Sequence, residues 1–212
     1  MLTYYIIDTE TTGLKAGYHD LVEISAIRYD NKLQFTKIIK ALHPENASID
    51  ALRITNKTPD DLLKGDDLEY SIRSFDRYIK SDGLEPKHRV AVGHNVAFDI
   101  RFLHAAFAKF DLPFPMDMSY DTMAYMRKHL KKNGIPRKGT SLKLGDSIKL
   151  LNIKKLGTEE SDHTAKMDTR NTYWLFDHIL TKECDPIVVD IKKHPHVIGA
   201  KEEETQDNLM DD

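Results

Sequence analysis

Hydrophobic positions divide the chain into strands followed by helices. Three segments near the start are rich in β-branched and aromatic residues, and each predicts a β-strand: residues 2–7, 21–29 and 33–42. Asp30 and Asn31 lie between the second and third segments, where a tight turn would join two antiparallel strands. The pattern therefore predicts an antiparallel meander of three strands.

The rest of the chain is mainly helical in its periodicity. Ile72, Phe75 and Ile79 lie on one face of a helix predicted over residues 69–80. Residues 90–92 are a short apolar run that predicts a buried strand. Four further helices are predicted over residues 96–110, 121–130, 142–151 and 164–180. This order of elements implies an α/β protein with a mixed sheet and helices on its faces.

Length and composition fit one domain with a short tail. The chain has 212 residues, enough to bury a core around a sheet, and we expect the domain to cover residues 1–198. Residues 199–212 are acidic and almost free of aromatic and β-branched side chains, so we expect a disordered tail.

Two further features restrict the class of protein. Cys184 is the single cysteine, which excludes an internal disulfide and a cysteine-based zinc site. The apolar runs are far shorter than the roughly 20 residues that cross a bilayer, and no charged-then-apolar leader opens the chain. We therefore expect a cytoplasmic protein that does not bind a membrane.

Charge is distributed unevenly along the chain. The net charge is −3, but residues 127–155 contain ten Lys and Arg against one acid, Asp146, so this segment carries +9 and the remainder −12. Such a segment can attract a polyanion such as nucleic acid, whatever the net charge of the molecule. It is equally typical of a solvated helix face followed by a loop, and composition leaves both interpretations open.

Acidic side chains occur at positions that should face the core. Asp8 and Glu10 are two residues apart at the end of the first strand, so they share a face with Ile6. Asp99 and Asp168 each begin a helical stripe of inward-facing residues. The stripe of Asp99 contains Phe102, Leu103, Ala106 and Phe110, and that of Asp168 contains Thr172, Leu175 and Ile179. Each acid alone could be a helix cap, a turn residue or a surface charge, but three inward placements favour a common site.

Buried carboxylates require a positive partner, because an unpaired buried charge is strongly unfavourable. Lys and Arg do not occupy these stripes, and hard divalent cations prefer carboxylate and water oxygens, so we expect two magnesium or manganese ions. Such a pair can activate water and stabilise the leaving oxygen of a phosphodiester. His163 precedes Asp168 by five residues and could act as a base near neutral pH, with a capping or surface histidine as the alternative.

Three segments carry a resemblance to a known family. They are IIDTETTGL at residues 6–14, GHNVAFDIRFL at residues 93–103 and HTAKMD at residues 163–168. In order and spacing they resemble the motifs of the DEDDh 3′→5′ exonucleases, which include the proofreading epsilon subunit of bacterial DNA polymerase III and ribonuclease T. Weaker likeness at residues 52–62, 120–128 and 141–153 extends the resemblance over residues 2–180.

The resemblance implies a fold and a set of site residues. The fold would be a ribonuclease H-like α/β domain with a mixed five-stranded sheet, in which an antiparallel three-stranded meander joins parallel strands, flanked by helices. Asp8, Glu10 and Asp168 would bind the metal ions directly, and Asp99 would support the second metal. His163 would be the general base. These five positions show no departure from the family pattern.

The resemblance also implies residues that receive the 3′ end of the substrate. Thr11, Thr12 and Gly13 would lie beside the terminal nucleotide, and Leu14 would wedge beside the last base. Gly13 is equally consistent with a plain turn after a strand.

Other substrate contacts would come from later segments. Asn95 and Phe98 would shape the pocket, with a helix cap and a core aromatic residue as alternatives, and His94 is expected to be structural. The basic segment is heavier than the family motifs require, and it lies between the second and third motifs. From its charge and position we expect it to guide the phosphates of single-stranded nucleic acid through Lys131, Lys132, Arg137 and Lys138.

Two classes of function remain. The first is an enzyme that releases 5′-mononucleotides from the 3′ end of single-stranded or frayed DNA in proofreading or repair. A 3′→5′ exoribonuclease is its alternative, because no residue is identified that reads the 2′-hydroxyl. The second class is a binding module of a replication complex with secondary activity. Residues 206–210 (QDNLM) resemble a sliding-clamp-binding peptide without its usual aromatic residue, so a polymerase or clamp partner is considered. The sequence predicts no oligomeric state.

Overall fold

A mixed sheet of six strands lies at the centre of the part of the chain that the computed structural model describes, residues 2–154, 164–183 and 188–191. The strands are β1 (Thr3–Thr11), β2 (Leu21–Arg28), β3 (Gln34–Ile38), β4 (Arg89–Gly93), β5 (Met118–Asp121) and β6 (Val189–Asp190). Their order in the sheet is β3-β2-β1-β4-β5-β6. β1, β2 and β3 pair antiparallel, whereas β1, β4 and β5 pair parallel. The predicted mixed sheet is confirmed.

Four strands differ from the prediction. β3 ends at Ile38 rather than at residue 42, because Ile39 pairs with Asp66 in an isolated bridge instead of extending the ladder with β2. β5 lies in a segment where no strand was predicted, because four residues are too few for a clear period of two. β6 adds a two-residue antiparallel edge beyond the five strands expected. β1 is longer than predicted, since it continues through Asp8 and Glu10 to Thr11. Its pairing with β2 is irregular between Glu10 and Thr11. Both acids therefore lie within the strand.

Helices cover both faces of the sheet. Within the described ranges they are α1 (Ile49–Ile54), α2 (Leu68–Lys80), α3 (Ala97–Ala108), α4 (Thr122–Lys132), α5 (Leu144–Leu150) and α6 (Ala165–Glu183). The carboxylates of Asp67 and Asp121 accept backbone N–H groups at the starts of α2 and α4. The short α1 was not predicted. None of the helices in the described ranges has the length and apolar character needed to cross a bilayer.

Alternation along β1 divides the core into two layers. Tyr5 points to one face, where it packs with residues of α2 and α3. Ile6 points to the other face, which is covered by residues of α4, α5 and α6. Because Asp8 and Glu10 continue the alternation of Ile6, they face α6, whereas Thr9 faces α3.

A buried ion pair fixes the start of β4. The side chains of Arg89 and Asp82 are 2% and 0% exposed, and Nη2 of the arginine lies 2.7 Å from Oδ1 of the aspartate. Arg89 also donates to the carbonyl of Pro115 at 3.0 Å and to the carbonyl of Leu84. The hydroxyl of Tyr5 donates to Asp82 Oδ2 at 2.8 Å. The network therefore ties β4 to β1 and to the segment before β5.

Replacing Arg89 with Met should destabilise the fold by about 3–5 kcal/mol, because the Asp82 carboxylate would remain buried without its counter-ion. Urea unfolding at neutral pH measures this loss. Lys87→Met is the control, since the exposed Lys87–Glu85 pair, 2.6 Å apart, should contribute less than about 1 kcal/mol. Equal losses in the two variants would contradict the role given to Arg89.

The same pair should make stability sensitive to acid. Burial alone would raise the pKa of Asp82, but hydrogen bonds from Arg89, Leu84 and Tyr5 outweigh it and hold the pKa below its usual value. A lowered pKa contributes stability that is present above the unfolded value of about 3.9 and is lost as the pH falls through the folded value. The stability difference between wild type and Arg89→Met should therefore shrink in this acidic range.

Candidate active site

Three carboxylates converge where β1 meets the start of α6. Asp8 and Glu10 extend from the α6-facing side of β1, and Asp168 extends from the first turn of α6. One carboxylate oxygen of each residue lies within 4.8 Å of the other two, and all three side chains are partly buried. Carboxylate oxygens in such a group are ligands that hard divalent cations prefer.

The first turn of α6 directs Asp168 toward the strands. The hydroxyl of Thr164 accepts the N–H of Met167 at 3.2 Å, and its carbonyl accepts the N–H of Asp168 at 3.0 Å. Thr172 and Leu175 follow Asp168 on the same helical face and are fully buried. The buried stripe therefore orients Asp168 as its sequence spacing predicted.

Asp99 reaches this region from the opposite face of the sheet. It lies in the first turn of α3 and is 4% exposed. Its Oδ1 accepts two hydrogen bonds from Thr9, one from the N–H at 2.9 Å and one from the hydroxyl at 2.8 Å. Because Thr9 lies between Asp8 and Glu10, Asp99 is held beside the three acids. In the described part of the chain, however, it is not a member of the group whose oxygens lie within 4.8 Å of one another.

Burial and mutual repulsion raise the pKa values of these acids. Burial raises the pKa of Asp8 well above its usual range, and repulsion from Asp99 and Asp168 raises it further. Burial, with repulsion from Asp168, raises the pKa of Glu10 to about 8. Burial also raises the pKa of Asp99, although hydrogen bonds from Thr9 oppose the change. Divalent cations would relieve this repulsion, so the donor set fits the metal ions expected from the sequence.

Glu23 and Lys57 also belong to the site, and neither was predicted. Glu23 on β2 lies opposite Glu10 in the strand register and is 3% exposed. Lys57 Nζ lies 3.5 Å from Glu23 Oε2. In addition to burial, the charge of Glu23 raises the pKa of Glu10, whereas that of Lys57 lowers it. A signal for Glu23 was present, since it is an acid between the apolar residues Val22 and Ile24 of β2. Lys57 lies in a loop and gave no such signal.

The chain leaving β1 forms a buried turn beside the acids. Thr11 donates its hydroxyl to the Gly13 carbonyl at 2.7 Å, and the Thr12 hydroxyl accepts a backbone N–H from across the turn at 2.8 Å. A Cβ on Gly13 would lie 2.2 Å from the ring of His19, so this close approach requires glycine. Leu14 is 80% exposed. The turn therefore presents a constrained backbone followed by one projecting apolar side chain.

Asn95 and Phe98 lie at the junction of β4 and α3. Asn95 is exposed and adopts a left-handed backbone with φ of 73°, and its N–H donates to Asp121 Oδ1 at 2.9 Å. It is not the cap of α3, because Val96 holds that position. Phe98 is partly buried, with its ring centroid 5.0 Å from that of Phe102. It therefore forms an aromatic wall between core and solvent.

His94 joins β4 to the loop between α4 and α5. Its Nε2 donates to the Leu142 carbonyl at 2.6 Å, and its Nδ1 lies 2.9 Å from the Thr122 hydroxyl. Burial lowers the pKa of His94. The charge of Asp168 opposes this change, and the charge of Arg127 adds to it. The end of the basic loop is therefore attached close to the acidic site.

The basic side chains expected to contact phosphates all lie on the surface. The last turn of α4 and the loop after it carry these exposed residues: Lys131, Lys132, Arg137 and Lys138. Gly134 and Gly139 have positive φ values of 65° and 85° within the loop. Thr140 closes it by accepting a hydrogen bond on its carbonyl from the Arg137 guanidinium at 2.7 Å.

Several features named from the sequence lie outside the described residues. They are the candidate base His163, the single cysteine Cys184, Lys155 at the end of the basic segment, and the tail over residues 199–212.

Sequence comparison relates the chain to exonucleases. The profile of the RNase_T exonuclease family matches residues 5–176. The chain is 31% identical over 139 residues to DNA polymerase III PolC-type of Streptococcus pneumoniae, a match that covers 63% of this chain and 9% of the relative. The PolC-type polymerase of Listeria innocua is 28% identical over 180 residues, covering 82% of this chain and 11% of the relative. The chain therefore spans about a tenth of the length of these relatives.

Solved nuclease structures share the fold. E. coli Exonuclease I in complex with a dT13 oligonucleotide superimposes with a TM-score of 0.71 at 19% identity, over 87% of this chain and 42% of that one. A zinc-ion-bound form of its complex with single-stranded DNA is also similar. The nuclease domain of 3′hExo, a DEDDh family member bound to rAMP, gives 0.65 at 15% identity, over 89% and 96% of the two chains. These likenesses confirm the fold class.

The family profile covers most of the chain, and the residues of its three motifs that the structure describes lie around one acidic site. The chain therefore belongs to the RNase_T exonuclease family and is a nuclease of the DEDDh type, an enzyme class that hydrolyses nucleic acid with divalent metal ions.

Proposed function

We propose that this protein is a 3′→5′ exonuclease that releases 5′-mononucleotides from single-stranded or frayed DNA, in proofreading or repair. The observation that carries the proposal is the convergence of Asp8, Glu10 and Asp168 within 4.8 Å, with Asp99 held beside them. DNA is favoured by the PolC-type DNA polymerases among the relatives and by the dT13 oligonucleotide bound to Exonuclease I.

Two divalent cations, Mg²⁺ or Mn²⁺, are the proposed cofactors. Asp8, Glu10 and Asp168 would hold them directly, and Asp99 would support the second cation. When bound, the cations would supply activation of the attacking water and neutralisation of charge on the phosphodiester. The raised pKa values of Asp8 and Glu10 support this assignment, since cations would replace the protons that burial and repulsion otherwise favour.

Side chains around the acids would receive the 3′ end. The turn after β1 holds Thr12 and Gly13 close to the acids, and Leu14 offers an apolar surface for a base. Phe98 offers an aromatic wall on which a second base face can pack. His163 is the proposed general base, on the strength of the family motif, and it directly precedes Thr164 in the sequence.

Two other functions are favoured by particular relatives. An exoribonuclease is the alternative, because the 3′hExo nuclease domain has rAMP bound. A role within a replication complex, with a polymerase or sliding clamp as partner, is the second alternative, because the relatives include PolC-type polymerases.

Loss of a residue that only orients a metal ligand lowers activity about 10–100-fold. Replacing Asp168 with Asn should slow nucleotide release by more than this, because a direct metal ligand is lost. In EDTA the same variant should melt at a higher temperature than wild type, since one repelling charge is removed. Release assays and thermal unfolding check both effects. Glu85→Gln, at an exposed acid, is the control and should change neither. Activity that survives Asp168→Asn or excess EDTA would contradict metal-dependent catalysis.

Direction and polymer can be tested with labelled oligonucleotides in Mg²⁺ or Mn²⁺. A single strand of DNA with a 5′ label should shorten stepwise, whereas a 3′ label should be released as a mononucleotide in the first step. DNA should be degraded faster than RNA of matched sequence, and frayed ends faster than closed duplex. Early release of the 5′ label would refute the direction, and faster loss of RNA would favour the exoribonuclease.

Reversing the charges of Lys131 and Lys132 to Glu should weaken binding of single-stranded DNA. Log affinity decreases with log salt concentration, and this slope should become shallower by about 0.7 for each phosphate that the protein no longer neutralises. Arg77 and Lys80, in the last turn of α2, provide a matched double reversal on another helix end. Fluorescence anisotropy in EDTA separates binding from cleavage. An unchanged slope in the Lys131/Lys132 variant would show that the basic segment does not contact the substrate.

A further inference from the structure

Glu23 lies between the two elements that carry the metal-binding acids. It is on β2, opposite Glu10, and its side chain faces α6. It is 3% exposed, although the residues around it on β2 are apolar or small. A buried carboxylate in this position needs partners for both of its oxygens.

The two oxygens of Glu23 contact two different parts of the chain. Oε1 accepts the backbone N–H of Lys166 at 3.3 Å, in the first turn of α6 and two residues before Asp168. Oε2 lies 3.5 Å from Nζ of Lys57, whose side chain is 16% exposed. An acceptor at the N-terminal turn of a helix satisfies a donor that has no partner within the helix. Glu23 therefore fixes the turn that presents Asp168.

Lys57 supplies positive charge inside a cluster of acids. Its ammonium pairs with Glu23. Its charge also lowers the pKa of Glu10, which lies opposite Glu23 in the strand register. Repulsion in the cluster involves five carboxylates: Asp8, Glu10, Glu23, Asp99 and Asp168. With all five carboxylates deprotonated, they and the one ammonium would carry a formal charge of −4, which two divalent cations would balance.

We propose that Glu23 and Lys57 are positioning residues that set the distance between Glu10 and Asp168 in the metal centre. Glu23 links the strand pair that carries Glu10 to the helix turn that carries Asp168, and Lys57 holds the second oxygen of Glu23 in place. The inference rests on the metal-dependent function proposed above. It concerns how the metal ligands are held and is independent of the polymer that is cleaved.

Binding of Mn²⁺ to the full chain, followed by electron paramagnetic resonance of the free ion, tests the role of Glu23. Glu23→Ala should weaken Mn²⁺ binding about 10–100-fold, as expected when a group that orients metal ligands is lost. Glu23→Gln keeps an oxygen for Lys166 but loses the ion pair, so it should lose a smaller part of this affinity. At saturating Mn²⁺, kcat should fall in Glu23→Ala while KM for the oligonucleotide stays within about twofold.

Glu85→Ala, at an exposed acid, is the matched control and should bind Mn²⁺ as wild type does. Wild-type affinity for Mn²⁺ in either Glu23 variant overturns the proposal. If Glu23→Ala does not fold, Glu23→Gln decides by the same criterion. The binding measurement needs no turnover, so it separates the two proposals. If wild type bound Mn²⁺ but released no nucleotides, the proposed function would be wrong, and the variants would still test this inference. Wild type that binds no Mn²⁺ overturns both.

Lys57→Met separates position from charge. Loss of a positive charge would by itself tighten cation binding, whereas release of Glu23 from its partner would disturb the ligands and weaken it. We expect weaker Mn²⁺ binding in Lys57→Met and recovery in Lys57→Arg, whose guanidinium can pair with Glu23. Unchanged or tighter binding in Lys57→Met would remove Lys57 from the positioning role.

Discussion

Burial of like charges beside a single strand is the constraint on which the rest of the structure depends. Asp8 and Glu10 lie on one face of β1 and Thr9 on the other, so the strand presents acids to α6 and a hydrogen-bond donor to α3. Carboxylates that repel one another remain together only when the backbone beneath them cannot move apart. The central place of β1, paired on both sides by β2 and β4, provides that rigidity.

The two ends of β1 handle charge in opposite ways. Near its start, Tyr5 donates to Asp82, whose negative charge is matched within the protein by Arg89. Near its end, the acids exceed the positive charge that Lys57 provides. The first arrangement holds the fold with no ligand, whereas the second leaves negative charge that bound divalent cations would balance. Stability and chemistry are thus assigned to different ends of one strand.

Local periodicity was sufficient to place the acids, because the direction of a side chain depends on its own element. A period of two put Asp8 and Glu10 on one face, and a period of 3.6 put Asp99 and Asp168 at the ends of buried stripes. The same rules located the meander, β4 and the long helices. They missed α1, β5 and β6, which have six, four and two residues and are too short to show a period.

Contacts that depend on tertiary geometry could not be predicted in this way. The hydrogen bond from Thr9 to Asp99 joins residues 90 positions apart, and it forms because α3 packs beside the end of β1. The pairing of Glu23 with Glu10 depends on strand register, and the approach of Lys57 depends on the path of a loop. Each is the outcome of packing the whole sheet, so no window of sequence contains it.

The attachment of the basic loop has a consequence for how such an enzyme can change. His94 holds the loop through the carbonyl oxygen of Leu142, a group that every amino acid possesses. The residues between α4 and this anchor can therefore vary in charge and length while the end of the loop stays beside the acids. Selectivity for a polymer could diverge among descendants of this chain with the hydrolytic machinery left intact.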